Sequence, residues 1–343
     1  MDAGKSPGNF PHLDLVRSFA VLLVFFGHLA HTLGYEHGMG TAAHFGVLIF
    51  FVHTCLVLFC SMDRLGMQRL FARFYVRRIA RIYPIAVASV LFVLFTHMPP
   101  APWLPYSIPN WPRVVANIFL VQNFVGAGHD LLAPLWSLPF EVQMYAVLPM
   151  LFLLHKKRGI SPTEIWVGVT LFSAALWVLP SKQPADICAY APVFCAGILA
   201  YSSLRAQKTL RFVYLSSGLI GTLVTAIAIG RLGVPVALAD AICGLPIGLL
   251  IGRQTTLPSS LAKLSELIAR YSYSIYLSHL PIMWFCISNG QRHWAAFICL
   301  SVAVPIVLYH IIEKPFIDMG VRISAKMQPG GIQEKSLVAG IGV

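Results

Sequence analysis

The chain has 343 residues, of which 57% are hydrophobic and only 11% charged, and it carries a formal net charge of +12. Soluble domains carry about 25% charged residues, so this composition excludes an ordinary soluble protein. The positive balance reads as Lys and Arg in cytoplasmic loops facing anionic lipid, not as nucleic-acid binding.

Apolar runs of about 18 residues or more recur along the whole length, each long enough to cross a bilayer. The short alternating segments of an outer-membrane barrel do not occur. The N-terminal "MDAGKSPGNF" is polar, and the first apolar run is too long for the core of a cleavable signal. The expected fold is therefore all-α, a polytopic membrane protein of about ten transmembrane helices. Spans are expected near 13–35, 45–62, 83–97, 135–154, 163–180, 186–204, 212–230, 233–252, 266–288 and 294–312. A further stretch, "VVANIFLVQNF" at 114–124, is short and holds Asn117, Gln122 and Asn123. If it does not cross, nearly all of the 25 Lys and Arg fall on one side; if it does, they split almost evenly. It is accordingly placed in a long outer segment over about 98–134, partly interfacial, with both termini cytoplasmic. Residues 1–325 then form a single membrane domain and 326–343 a flexible cytoplasmic tail. The seven cysteines all fall in apolar runs without metal-binding spacing and read as small buried hydrophobes.

The first span carries charge where charge is costly. Its start, "LDLVR", holds Asp14 and Arg17, and "FFGHLAH" follows with His28 and His31. At about 100° per residue, Arg17 and His28 differ by only about 20° around the axis and about 16 Å along it. Asp14 lies within about 40° of His28. This stripe must face the bundle interior or a wet cavity, because each unpaired ionisable group at such depth costs at least ~2.5 kcal/mol. A neutral imidazole there can accept a proton, as a general base must; ordinary helix packing accounts for it equally well. His31 lies nearer the outer surface. His28, His31, His37 and His44 do not have the spacing of a metal site, and no metal is expected.

"RLFARFYVRRIARIYP" (69–84) sets five arginines among aromatic residues on what reads as a cytoplasmic loop, with Pro84 opening the next span. Arg78 and Arg81 are three apart and share a helical face, a fork suited to phosphate. Topology charge and lipid-headgroup anchoring are the plainer reading. "APLWSLPFEVQMYAVLP" (133–149) places Glu141 one to two turns inside its span, with Tyr145 one turn further on the same face. An intramembrane carboxylate is a functional candidate by default, positioned to orient a substrate hydroxyl or to bond the imidazole of His28. "YSYSIYLSHLPIMWF" (271–285) brings Tyr276 and His279 together as i, i+3 partners. In "IEKPF" (312–316), Glu313 and Lys314 are expected at the cytoplasmic boundary, with Pro315 ending the helix. Asp240 is alone in its span, without an evident role.

These stretches in this order resemble the acyltransferase-3 family of integral membrane acyltransferases. The likeness rests on "LDLVRSFAVLLVFFGH", "FGVLIFFV", "RRIARIYP", "LWSLPFEVQMYAVLP", "YSYSIYLSHLP" and "IEKPF", and runs from about 10 to 316. It implies transfer of an acyl group, commonly acetyl from acetyl-CoA, to a hydroxyl of a glycan or of a lipid-linked or small-molecule acceptor. It also implies a catalytic role for His28, a link of Arg78, Arg81 and Arg17 to the acyl-CoA, and a role for Glu141. The implied setting is the bacterial cytoplasmic membrane, with acyl-CoA as co-substrate, membrane lipid as surroundings and no bound cofactor. Asp14, Tyr145, Tyr276 and His279 are expected to support the site. Two departures stand out. The second span reads "FFVHTCLVL", with His53 and Thr54 where many members have Leu-Ser-Gly after the phenylalanines, which touches acyl or acceptor specificity. The chain also reads as the single-module form. A proton-coupled transporter with a His/Glu relay is the rival, although no inverted repeat or paired interrupted helices support it. Acceptor, acyl length, one-step or two-step transfer and oligomeric state are not legible.

Overall fold

A computed structural model describes residues 10–35, 38–125, 130–176, 188–287 and 292–327. His37, the segment joining the fifth and sixth expected spans, and the tail beyond 327 lie outside the described residues. Twelve α-helices form the rest: α1 Pro11–Thr32, α2 Met39–Leu65, α3 Leu70–Thr96, α4 Trp111–Ile118, α5 Leu138–Arg158, α6 Pro162–Leu176, α7 Ala191–Arg205, α8 Phe212–Arg231, α9 Val236–Ile251, α10 Ser259–Ile287, α11 Trp294–Leu308 and α12 Lys314–Lys326. No strand occurs among the described residues; a lone bridge between Thr209 and Gln254 ties two loops. A helix lies at each of the ten expected spans. Among the described residues six helical stretches are long and apolar enough to cross a membrane, one of them α5 with the turn before it and another α11 continued through α12, and α6 and α9 are shorter apolar helices. The protein is a multi-pass membrane protein.

The central post is α2. It touches α1, α3, α5, α7, α8 and α9, and 83% of its apolar window is buried, against 17% for α8. Small residues let its neighbours approach. A Cβ added at Gly46 would stand 2.6 Å from the Ala20 carbonyl of α1, and one at Gly197 of α7 would stand 2.6 Å from the Cys55 Cβ of α2. In lipid, where burial of apolar surface does not itself drive helices together, such close contacts and interhelical hydrogen bonds hold a bundle.

Three local expectations are corrected. The arginine stretch is not a loop: α3 begins at Leu70 and carries Arg73, Arg77, Arg78 and Arg81 into the bundle. Arg and Ala are good helix formers, and the arginines find partners. Arg73 Nη1 donates to the Leu65 carbonyl at 2.6 Å, satisfying an end carbonyl of α2, and Arg77 Nε donates to Ser324 Oγ at 2.9 Å. Pro84 accordingly sits inside α3 rather than at its start; neighbouring helices make such prolines tolerable in membranes. Nor does Pro315 end the last span. A π-turn over Tyr309–Glu313 joins α11 to α12, and Pro315 falls in the first turn of α12, where a missing N–H costs little. The π-turn turns Glu313 inward, where it is 1% exposed and ion-paired with Arg81.

The 114–124 stretch does not cross as one helix. Eight-residue α4 rises about 12 Å, well short of the ~30 Å hydrocarbon core. The polar side chains in that stretch stitch the segment to itself. Asn117 Oδ1 accepts from the Leu131 amide at 3.0 Å, and Gln122 Nε2 donates to Asp130 Oδ1 at 3.1 Å and to the Leu135 carbonyl at 3.0 Å.

Two outcomes follow for stability. Gly197→Val should destabilise the bundle by about 1–3 kcal/mol through overpacking against α2, seen as a lower thermal unfolding midpoint of the purified protein. Glu313→Ala, which strips the buried Arg81 guanidinium of its counter-charge, should cost about 3–5 kcal/mol in the same measurement.

Candidate active site

Arg17 and His28 share a face of α1, and the two groups sit in different polar layers. The first layer surrounds Arg17. Its Nε donates to Ser272 Oγ of α10 at 2.6 Å. Arg78 and Arg81 enter the same space from α3 and Glu141 and Tyr145 from α5, and together they line a cavity of about 80 Å³ with Thr54, Ser137 and Tyr276. Both α3 arginines are 8% exposed. Glu141 accepts a hydrogen bond from the Tyr145 hydroxyl. Glu313 bonds Arg81 and accepts from Ser274 Oγ at 2.7 Å. The Arg81 guanidinium lies 5.8 Å from the centroid of the Tyr273 ring, whose hydroxyl donates to the Ile82 carbonyl at 3.1 Å. Three guanidinium groups thus face two carboxylates, an excess of positive charge in a volume that holds a few waters or a thin chain. Arg81 Nη2 has no hydrogen-bond partner among the described residues. A buried donor left in this way costs about 1–3 kcal/mol unless something else accepts from it.

Tyr276 lines this cavity on the side toward His279, and its hydroxyl meets Ser137 Oγ at 2.9 Å and the Pro134 carbonyl at 2.9 Å. These contacts latch the 3₁₀ turn Ala133–Ser137, which leads into α5, onto α10.

One turn beyond Tyr276 on α10 stands His279, and it defines the second layer. His28 Nδ1 and His279 Nε2 are 2.7 Å apart, with the rings only 9° from parallel. The proton positions follow from what each partner is able to do. His279 Nδ1 lies 2.7 Å from the Tyr276 backbone carbonyl. A carbonyl only accepts, so Nδ1 of His279 carries a hydrogen. In the neutral ring Nε2 then has the lone pair and accepts from His28 Nδ1–H. The remaining nitrogen, His28 Nε2, holds a lone pair and makes no hydrogen bond among the described residues. Trp103 of the outer segment covers this end, 5.9 Å from the His28 ring and 4.2 Å from that of His31.

Arg17, Arg78, Arg81, Glu141, Tyr145 and Tyr276 are therefore gathered around one cavity, while His28 and His279 form a pair just outside it. The expected bond between Glu141 and His28 is not formed: Glu141 is held by Tyr145 in the arginine layer, and His279 partners the imidazole. Asp14 does not line the cavity; its charged neighbours are Arg17, Glu266 and Arg270. His53 and Thr54, the departure in the second span, do line it. Asp240 gains a partner in His44, 2.8 Å away, with the imidazole stacked on Trp136. Glu313 is the polar residue most underrated by sequence reasoning. Its neighbouring Lys314 and Pro315 suggest a helix end, and only an accounting of which carboxylates neutralise the buried arginines points to it.

A family model described as "Acyltransferase domain", the acyltransferase-3 family, matches residues 10–310. No curated protein and no solved structure matches the chain. A match over most of the chain, on a helical bundle with a polar core, makes the chain a member of the acyltransferase-3 family, and the protein a membrane acyltransferase.

Proposed function

We propose that the protein is an O-acyltransferase of the bacterial cytoplasmic membrane. It moves an acyl group, in the first instance acetyl from acetyl-CoA, to a hydroxyl of a glycan or another envelope or small-molecule acceptor. The observation that carries this reading is the stack of polar groups along one side of α1 and α10, from the arginine cavity past Tyr276 to the His28–His279 pair. Ten crossings with both termini cytoplasmic would set the arginine layer toward the cytoplasm, where CoA is kept, and Trp103 toward the acceptor.

The thioester arm enters the cavity between Arg17 and Arg78, with Arg81 Nη2 available to a donor oxygen. Its thioester reaches His28 once the Tyr276 latch opens. His28 Nε2 takes the proton of the acceptor hydroxyl as that oxygen attacks the thioester carbonyl. The C–S bond then breaks, the proton passes to the leaving sulfur, and the products are an ester and free CoA. Positioned proton transfer of this kind contributes about 10²–10⁴ in rate. His279 is a positioning residue: by accepting from His28 Nδ1–H it keeps the lone pair on Nε2, as a carboxylate does in a catalytic triad. A proton-coupled transporter has the same buried histidines, but family membership disfavours it.

His28→Ala should lower acetyl transfer by about 10²-fold or more in nanodiscs, read as CoA release and acceptor mass. Its affinity for acetyl-CoA should remain close to wild type; equal turnover would end the assignment. Arg78→Ala should raise the KM for acetyl-CoA by about tenfold, the loss of one charged hydrogen bond, with little change in kcat. His279→Gln, which can still accept from His28 Nδ1–H, should retain more kcat than His279→Ala, and equal kcat for the two would remove the positioning role. Acetyl-CoA-independent proton flux in liposomes would favour the transporter.

A further inference from the structure

A second, larger cavity of about 1150 Å³ opens where α1 begins and α2 and α7 end. Its lining includes His12, Arg64, Arg205 and Arg211. The only carboxylate in that lining, Asp63, is already engaged by Lys156 at 2.8 Å, the Tyr201 hydroxyl at 2.9 Å and Arg205 at 3.5 Å. The cavity therefore keeps an excess of positive charge. Arg211 is also the residue before α8, so it lies at the partly positive N-terminal end of that helix, a setting that favours an anion. His12 is 1% exposed, and its Nε2 has no partner among the described residues.

The two cavities share a wall. Thr54, Val57 and Leu58 of α2 face the small one, and Cys60, Asp63 and Arg64 of the same helix face the large one. Two histidines connect the linings: His53 lines the small cavity and has Arg17 and His12 among its electrostatic neighbours, and His12 lines the large one.

We propose that the large cavity holds the phosphorylated nucleoside end of the acyl donor, its arm running along α2, past His12 and His53, into the arginine layer. This rests on the reading of the donor as an acyl-CoA. The volume is of the size that buries a nucleotide, and the chemistry recognised is phosphate. A small cavity of about 80 Å³ cannot take that end of the molecule, so the two ends of the donor need separate places. Arg205 and Arg211 are the phosphate ligands assigned here, and neither belongs to the catalytic layers.

The test is direct binding of adenosine 3′,5′-bisphosphate and of CoA to the full chain in nanodiscs made without anionic lipid. Arg205→Ala and Arg211→Ala should each weaken both ligands about tenfold, the scale of one charged hydrogen bond. Arg211→Lys should recover part of the loss, and His28→Ala should bind both ligands as wild type does. The Arg205 side chain is 65% exposed, so its replacement leaves the fold intact, which matched thermal midpoints would verify. Wild-type binding of both ligands by the two arginine variants would overturn this site while leaving the acyl-CoA reading standing. Failure of the wild-type protein to bind either ligand would instead overturn the acyl-CoA reading itself, and this site with it. If, in parallel nanodiscs that contain phosphatidylglycerol, the substitutions weaken only retention of that lipid, the cavity is a lipid-headgroup site and the proposal fails.

Discussion

The arrangement depends on the cost of keeping charge out of water. A guanidinium inside a helical bundle loses its hydration, and the bundle tolerates it only with a counter-charge and hydrogen bonds at close range. Arg81 has Glu313 as that counter-charge. The pair fixes where α3, α10 and the π-turn meet, since Glu313 also takes the Ser274 hydroxyl and Tyr273 caps the Ile82 carbonyl. Arg17 is tied to Ser272 on the same helix α10. Four elements are thus held in register by polar contacts that have no alternative partner in lipid.

That same constraint leaves the chemistry poised. Three arginines against two carboxylates keep an excess positive charge in the cavity, and one guanidinium donor stays open. Beyond the Tyr276 latch, the histidine pair has no ion-pair partner among the described residues; its order is set by a backbone carbonyl. A carbonyl cannot donate, so the direction of the whole hydrogen-bonded chain follows from it. In the proposed reaction the charge that would bind the donor and the imidazole that would act as base are separated along the helices by about one turn of α10, with a tyrosine between them.

Much of this was legible in the sequence. The all-helical class and the positions of the ten helices follow from apolar run length, and the common face of Arg17 and His28 from helical period. The short stretch at 114–124 was set apart from the spans by the distribution of Lys and Arg, and its amides bind the segment to itself. What was not legible was partnership. Glu141 had a plausible partner in sequence, His28, and Glu313 had none, because pairing across the bundle depends on helix rotation and on the π-turn, which period-3.6 reasoning does not contain. Proline was misread twice for a related reason: Pro84 and Pro315 are tolerated where neighbouring helices and first-turn positions absorb the missing N–H. The arginine loop became a helix because its side chains had buried acceptors to reach, among them Leu65 O and Ser324 Oγ.

The claim on which the chemistry turns is the location of one proton on one imidazole. Nitrogen-15 spectra of the full chain in nanodiscs, with histidine labelled and His28→Ala used to assign the signal, report it directly. The expected result is a neutral His28 with hydrogen on Nδ1 and a bare Nε2, changing to a mixture of tautomers in His279→Ala. A His28 that carries its hydrogen on Nε2, or whose signal is unmoved by loss of His279, would contradict the assignment of Nε2 as the base.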